Sequence, residues 1–305
     1  MRFLIVGAGA LGGYFGGRLL AAGQDVSFLL RERRAAQIAQ TGLVIKSGLG
    51  DAHFPNPPVV LAKDLNSYFD VILIGCKAYD LESTMDSIAP AVGPNTMILP
   101  MLNGLCHLDA LAQRFGHERV LGGFCFISAA LDSSGVIQHL GDYHILCYGE
   151  IDGSRTPRIE ALESAFAKVN FTAQLSPDIL QAMWEKWISI AALAGITCLM
   201  RGSIGAIVEA GAGDIALALY EECCAIAAHN GHAPSAAGVE RARNLLTTPG
   251  SLLTASMFKD MQRGAVTEAE HIIGELIKRG EDAGKCLLLR TAYAHVKIYE
   301  GSRQG

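Results

Sequence analysis

Three observations predict an α/β fold class, an N-terminal Rossmann-type doubly wound sheet plus an all-helical C-terminal domain. A glycine-rich turn joins an apolar strand to a helix at residues 7–12. Continuously apolar strands then alternate with helical stretches, as in a parallel sheet covered on both faces. From residue 176 onward the chain carries helical patterns and no convincing strand. With 305 residues, half of them hydrophobic, the chain is long and apolar enough for two domains with a sizeable core.

In chain order, residues 3–6 read as a short buried strand, 10–22 as a helix stopped by Gly23, and 26–30 as the second strand. Residues 71–76 and 97–102 are apolar strands separated by a helix over 81–89. Between 120 and 150 the pattern alternates, with turns expected at Asp132-Ser133-Ser134-Gly135 and at Gly141-Asp142, so an antiparallel portion is added to the sheet. A helix over 158–169 and a strand near Phe171 complete a first domain, residues 1–175. Ser176-Pro177-Asp178 has the N-cap, N1 and first-turn residues of a helix start. Helices are expected over 178–200, 213–230, 236–246, 251–262 and 267–283, forming a second domain, residues 176–305. The cleft between the two is the natural place for a substrate.

Composition excludes several classes. The net charge is −5, and Arg31-Glu32-Arg33-Arg34 is too short and mixed for a nucleic-acid surface. Glycines interrupt the first apolar run, residues 3–6, unlike a signal peptide. The apolar run 187–200 is too short to span a bilayer. A cytoplasmic protein without nucleic-acid or membrane partners is expected. Eight cysteines without a C-x-x-C pair, most in apolar segments, read as reduced core thiols. Nine scattered histidines give no metal-ligand spacing.

The turn Gly7-Ala8-Gly9-Ala10-Leu11-Gly12 fits a dinucleotide loop. Gly7 permits the tight turn, Gly9 lets backbone approach a pyrophosphate, and Gly12 allows close helix–strand packing, while the N–H groups from Ala10 and Leu11 onward face the phosphate. A glycine-rich turn without a ligand is the bland alternative. At the end of the second strand, where NAD sites carry a carboxylate for the ribose, stands Arg31. A guanidinium grips a 2′-phosphate and a carboxylate repels it, so the cofactor is expected to be NADP. If the strand ends one residue later, Glu32 is the ribose ligand and the preference reverses.

In the second half, Lys186 falls on the apolar stripe Ile179, Met183, Lys186, Ile190, Leu193. It is either a snorkelling lysine or a desolvated ammonium suited to general-acid chemistry. Glu268 lies in Thr267-Glu268-Ala269-Glu270, which has capping-box spacing, so a helix-end role competes with a catalytic one. Ser256 alone is an ordinary helix serine. Asn103-Gly104 is a turn, but one at the carboxyl end of a parallel strand, where open sheets bind ligands; Lys77 holds the same kind of position after 71–76.

Taken together and in order, G-A-G-A-L-G at 7–12, L-L-R ending at Arg31, C-K-A-Y at 76–79, N-G at 103–104, W-E-K at 184–186, S-M-F-K-D at 256–260 and T-E at 267–268 resemble the ketopantoate reductase family over essentially the whole chain. The resemblance implies that Arg31 binds the 2′-phosphate of NADPH, with Lys77 near the ribose and nicotinamide. Asn103 would position cofactor and substrate, and Lys186 would protonate the ketone oxygen as hydride arrives. Glu268 would hold the substrate hydroxyl and Ser256 its carboxylate. The substrate would be a 2-keto acid. The chain departs from the family at Ile190 and Ala194, where two asparagines are usual, and at Leu102, where His or Gln is common. Those changes suit a more apolar substrate. A β-hydroxyacid dehydrogenase and an NADP-sensing protein without turnover are the alternatives; the apolar helices of the second half are compatible with a homodimer.

Overall fold

The computed structural model describes residues 1–303. Its contacts group the chain into two compact units. The first is Met1–Leu102 with His107–Leu180; the second is Asn103–Cys106 with the chain from Gln181 onward.

The first unit contains a parallel sheet of β1 (Arg2–Val6), β2 (Asp25–Leu30), β5 (Val59–Leu61), β6 (Val71–Ile74) and β7 (Met97–Pro100), in the order β5-β2-β1-β6-β7. Central strands without a polar face, such as Val71-Ile72-Leu73-Ile74, are fully buried. The crossover helices are α1 (Ala10–Ala21), α2 (Glu32–Thr41), α3 (Leu81–Ile88) and α4 (Cys106–Phe115).

A second sheet packs in the same unit. Its order is β10-β9-β3-β4, from β3 (Leu43–Lys46), β4 (Ala52–Phe54), β9 (Ile137–Gly149) and β10 (Thr172–Leu175), with β8 (Gly122–Leu131) paired to β9; α5 (Pro157–Phe166) precedes β10. Helix α1 lies between the two sheets. A Cβ added at Gly16 would sit 2.6 Å from Phe28 Cε1, and one at Gly13 or Gly17 would sit 2.4 or 2.5 Å from the Cδ1 of Ile137 or Ile45. The G-G-Y-F-G-G run therefore provides two bare faces, one for each sheet.

The structure extends the expected antiparallel portion and corrects part of it. Strands β3, β4 and β5 were not foreseen, because three- or four-residue strands between turns carry little periodicity. The turn at Asp132–Gly135 forms, with Asp132 Oδ1 accepting from the N–H groups of Ser134 and Val136. Gly141-Asp142 is not a hairpin turn. The register passes from Ile127↔His144 to Ala129↔His139, so these residues lie in a bulge within β9.

The second unit comprises α6 (Ile179–Met200), α7 (Ile204–Glu209), α8 (Gly213–His229), α9 (Ala236–Thr247), α10 (Ser256–Gln262), α11 (Glu275–Arg279) and α12 (Leu287–Ser302), with a π-helical turn at Glu270–Gly274 before α11. Helix α6 is longer than its apolar run and by length and composition could cross a membrane, but 72% of its most apolar stretch is buried inside the fold, as in a core helix. Ser176 is not its cap, since the helix starts at Ile179 and Ser176 Oγ accepts from the nearby Asp178 N–H. Helix α10 begins at Ser256 rather than 251, because the carbonyls of Ser251 and Leu253 accept from the N–H groups of Gly205 and Ile204 at the start of α7. Helix α12 lies beyond the last helix expected from the sequence pattern. Its first-turn donors, Leu288 and Leu289 N–H, are satisfied by Glu222 on α8, 66 and 67 residues away.

A buried charge cluster ties β9 to α5. Arg158 donates to both carboxylate oxygens of Glu150, and Thr156 to one of them. Burial pushes the Glu150 carboxyl up, but the hydrogen bonds from Arg158 and Thr156 outweigh it and hold the group below its ordinary value. A carboxylate with a depressed folded pKa stabilises fully above its unfolded pKa and loses that contribution as pH falls through the folded value. Glu150→Ala should therefore cost about 2 kcal/mol at pH 7, since the partner arginine is left in place and partly solvated. Urea titrations should show the gap between variant and parent closing below the ordinary carboxyl pKa of 4.5.

Candidate active site

Two groups of candidate residues stand at different places, one in each unit. The first surrounds the carboxyl ends of β1, β2 and β6. Gly7, at φ +83°, turns the chain out of β1, its N–H bonded to Leu29 O at 2.9 Å. A Cβ at Gly12 would lie 2.2 Å from Gly7 O, so only glycine lets α1 begin there. Gly9 caps α1 without a side chain, and Ala10 and Leu11 form its first turn, leaving amide donors directed at the loop. A cavity of about 780 Å³ opens beside Gly7, Ala8 and Gly9 and extends to Arg31, Arg34 and Asp80.

Arg31 directly follows β2, so the boundary that decides between it and Glu32 falls where expected. Its side chain is 74% exposed and donates to Asp80 Oδ1 at 2.7 Å, a hydrogen bond that raises the guanidinium pKa. Glu32 begins α2 and faces Lys63 at 3.5 Å. Lys77, half-buried after β6, accepts the Asp80 N–H on its carbonyl at 2.9 Å. Two residues of this place were not singled out from sequence. Arg34 donates to Ala8 O in the glycine turn at 2.9 Å and to Gly135 O at the β8–β9 turn at 3.1 Å. Asp80 is the other. Neither lies in a motif; only the folded contacts distinguish them.

The second group lies in the helical unit. Lys186 on α6 is 9% exposed, and its Nζ donates to Asn103 Oδ1 at 2.9 Å. Little of the residue is exposed, and its ammonium is bonded within the fold. Asn103 is held by the turn that contains it. Gly104 has φ +77°, and a Cβ there would meet His271 O at 2.8 Å and Trp187 Cε2 at 3.8 Å. The turn thus lies against both α6 and the π-helical turn. Trp187, the neighbour of Lys186, donates its indole N–H to Ile272 O at 2.9 Å and occupies a carbonyl of that turn. Single π turns often mark functional places.

Glu268 precedes the π turn and is 5% exposed. The capping box expected around it does not form. Thr267 donates to Glu300, and Glu270 instead accepts from Tyr293 Oη at 2.5 Å. Ser256, exposed at the first position of α10, is linked to α6 one residue earlier, where Ala255 N–H approaches Thr197 Oγ1 at 3.4 Å. Thr197 lies three turns of α6 beyond Lys186, about 16 Å of rise. The structure therefore joins Asn103 directly to Lys186 and connects Ser256 to the same helix farther along. Ile190 is half-buried and Ala194 buried on that helix.

A glycine turn and cavity at the carboxyl edge of a parallel sheet, with a buried lysine on a helical unit, is the build of an oxidoreductase. Residues 3–153 match the family described as Ketopantoate reductase PanE/ApbA, and residues 178–300 match Ketopantoate reductase PanE/ApbA C terminal. The chain is 39% identical to a protein of Bacillus subtilis (strain 168) named Uncharacterized oxidoreductase YkpB, covering 99% of this chain and 100% of that one. It is 29% identical to the 2-dehydropantoate 2-reductase of Archaeoglobus fulgidus, over 95% of each. The crystal structure of 2-dehydropantoate 2-reductase from Geobacter metallireducens GS-15 superimposes with a TM-score of 0.88 at 28% identity, over 98% of this chain and 99% of that one. The chain belongs to the ketopantoate reductase family.

If Gly104 is glycine because of the His271 carbonyl, position 231 is a fair control. Gly231 has φ +82° but no neighbour within 4 Å of an added Cβ. Gly231→Ala should cost about 1 kcal/mol of left-handed backbone strain. Gly104→Ala should cost clearly more, read as a lower urea midpoint at unchanged slope.

Proposed function

We propose that this protein is an NADPH-dependent 2-keto acid reductase, and that its substrate is 2-dehydropantoate, reduced to (R)-pantoate for pantothenate and coenzyme A biosynthesis in the cytoplasm. The observation that carries the reading is the buried Lys186 ammonium fixed by Asn103. Residues 1–175 take the role of NADP-binding domain and 176–305 that of substrate and catalytic domain. The names of the relatives support the substrate class; the chain's own residues support the chemistry.

The residues at the carboxyl edge of the first sheet fit a dinucleotide. The glycine turn and the start of α1 offer amide donors to a pyrophosphate. Arg31 offers a guanidinium to the 2′-phosphate, and Lys77 a cation near the ribose and nicotinamide. The bound cofactor supplies a hydride to the carbonyl carbon of the substrate. Hydride arrival leaves negative charge on the carbonyl oxygen, and Lys186 stabilises that charge and donates the proton. Asn103 accepts one hydrogen bond of the ammonium, which anchors the Lys186 head group. Glu268 accepts the hydroxyl at the far end of the substrate, and Ser256 binds the carboxylate, which is bonded directly to the keto carbon.

Ile190 and Ala194 favour a second reading within the same chemistry, a 2-keto acid with a more apolar side chain. Each amide absent from these positions removes about 1 kcal/mol of hydrogen bonding to a polar substrate.

Following NADPH oxidation at 340 nm with a panel of 2-keto acids tests the substrate. The highest kcat/KM is expected for 2-dehydropantoate, and a higher value for a bulkier apolar acid would select the second reading. Lys186→Ala should lower kcat by at least 100-fold, in line with loss of a general acid, while NADPH binding by fluorescence stays near normal. Near-normal turnover in that variant would remove Lys186 from the mechanism. Arg31→Ala should raise the KM for NADPH at least tenfold and leave that for NADH nearly unchanged.

A further inference from the structure

Arg31 already has an anionic partner. It stands at the end of β2, and Asp80 stands beyond the end of β6; the two strands flank β1 in the sheet. Their ion pair therefore reaches across the mouth of the cavity, over the side on which the glycine turn lies. Asp80 is not there by chance of a flexible side chain. Its N–H is bonded to Lys77 O, and its carbonyl accepts from Ser83 Oγ at 3.0 Å, so the short helical turn Ala78–Asp80 fixes the backbone from which the carboxylate extends. Ser83 Oγ is also 3.5 Å from the same Arg31 nitrogen.

A carboxylate in this position has two consequences. Any phosphate gripped by Arg31 would lie beside the Asp80 carboxylate, and like charges at hydrogen-bond range oppose each other. A ribose with a free 2′-hydroxyl meets no such opposition, since the carboxylate can accept its proton, the role an acidic residue plays in NAD sites. The pair is also exchangeable. Arg31 is largely solvated and Asp80 is 33% exposed, so neither member is locked by burial.

We propose that Asp80 is a specificity-determining residue that opposes the 2′-phosphate at Arg31, holding the guanidinium as an internal stand-in for that phosphate and widening the tolerance of the site for NADH. This rests on the reading of Arg31 as the residue that meets the 2′-phosphate.

The test compares two probes by isothermal titration calorimetry: adenosine 2′,5′-bisphosphate, which carries the 2′-phosphate, and adenosine 5′-monophosphate, which lacks it. Asp80→Asn keeps the shape and removes the charge. It should tighten the bisphosphate about tenfold and change the monophosphate by less than twofold, whereas Asp80→Glu, which restores the charge, should stay near the parent. In kinetics the same variant should lower the KM for NADPH and raise the NADPH-to-NADH ratio of kcat/KM, with kcat moving far less. Equal changes for the two probes, or weaker bisphosphate binding, would overturn the proposal. Thermal melting verifies folding, and Asp80→Ser serves for the same comparison if the amide variant is unstable. Arg31→Ala separates the two readings. If it leaves bisphosphate affinity untouched, Arg31 does not read the phosphate. If it weakens the bisphosphate while Asp80→Asn does nothing, only the role of Asp80 fails.

Discussion

Helix α1 comes closer to two sheets than any side chain would allow, and much of the first unit depends on that approach. Gly16 presses on Phe28 and Ile5 in one sheet, and Gly13 and Gly17 on Ile137 and Ile45 in the other. The same helix starts within the glycine turn, where Gly12 faces the Gly7 carbonyl. On the proposed function, packing and ligand geometry share one constraint: the helix N-terminus can be aimed at a pyrophosphate because nothing larger than hydrogen separates it from β1. Enlarging any of these glycines would disturb the core and the binding edge together.

In the helical unit the corresponding constraint is a pair of side chains on one turn of α6. Lys186 faces Asn103, and the adjacent Trp187 bonds the π-helical turn and lies near Gly104. A buried ammonium is costly unless its donors are satisfied by acceptors held in place. The Asn103-Gly104 turn supplies one such acceptor, and the positive φ at Gly104 lets the turn come close to the His271 carbonyl. Glu268 enters the same neighbourhood along the chain, two residues before the π turn begins.

The parts of this organisation that were legible in sequence are those written in local pattern. The glycine turn, the apolar strands 71–74 and 97–100, the arginine after β2 and the lysine on an apolar stripe all announce themselves within a few residues. What was not legible depends on partners far away in the chain. Helix α12 is capped by Glu222, strands β3 to β5 gain their identity only by pairing, and the bulge holding Gly141-Asp142 follows from the register of β8 against β9. The T-x-x-E spacing at 267–270 misleads for the same reason, since Tyr293 takes the Glu270 carboxylate that a capping box would need. Asp80 belongs with these: in sequence it is one acidic residue in a loop, and in the fold it is the partner of Arg31.

On the proposed function, Asn103 works through Lys186, holding the ammonium so that it can deliver a proton. A double-mutant cycle on single-turnover NADPH oxidation tests it most directly, because residues that act as one unit are strongly non-additive. Asn103→Ala should slow the step about tenfold in the parent protein and less than twofold when Lys186 is already alanine. Equal losses in both backgrounds would contradict the account, and Asn103 would then act on the cofactor or substrate independently of the lysine.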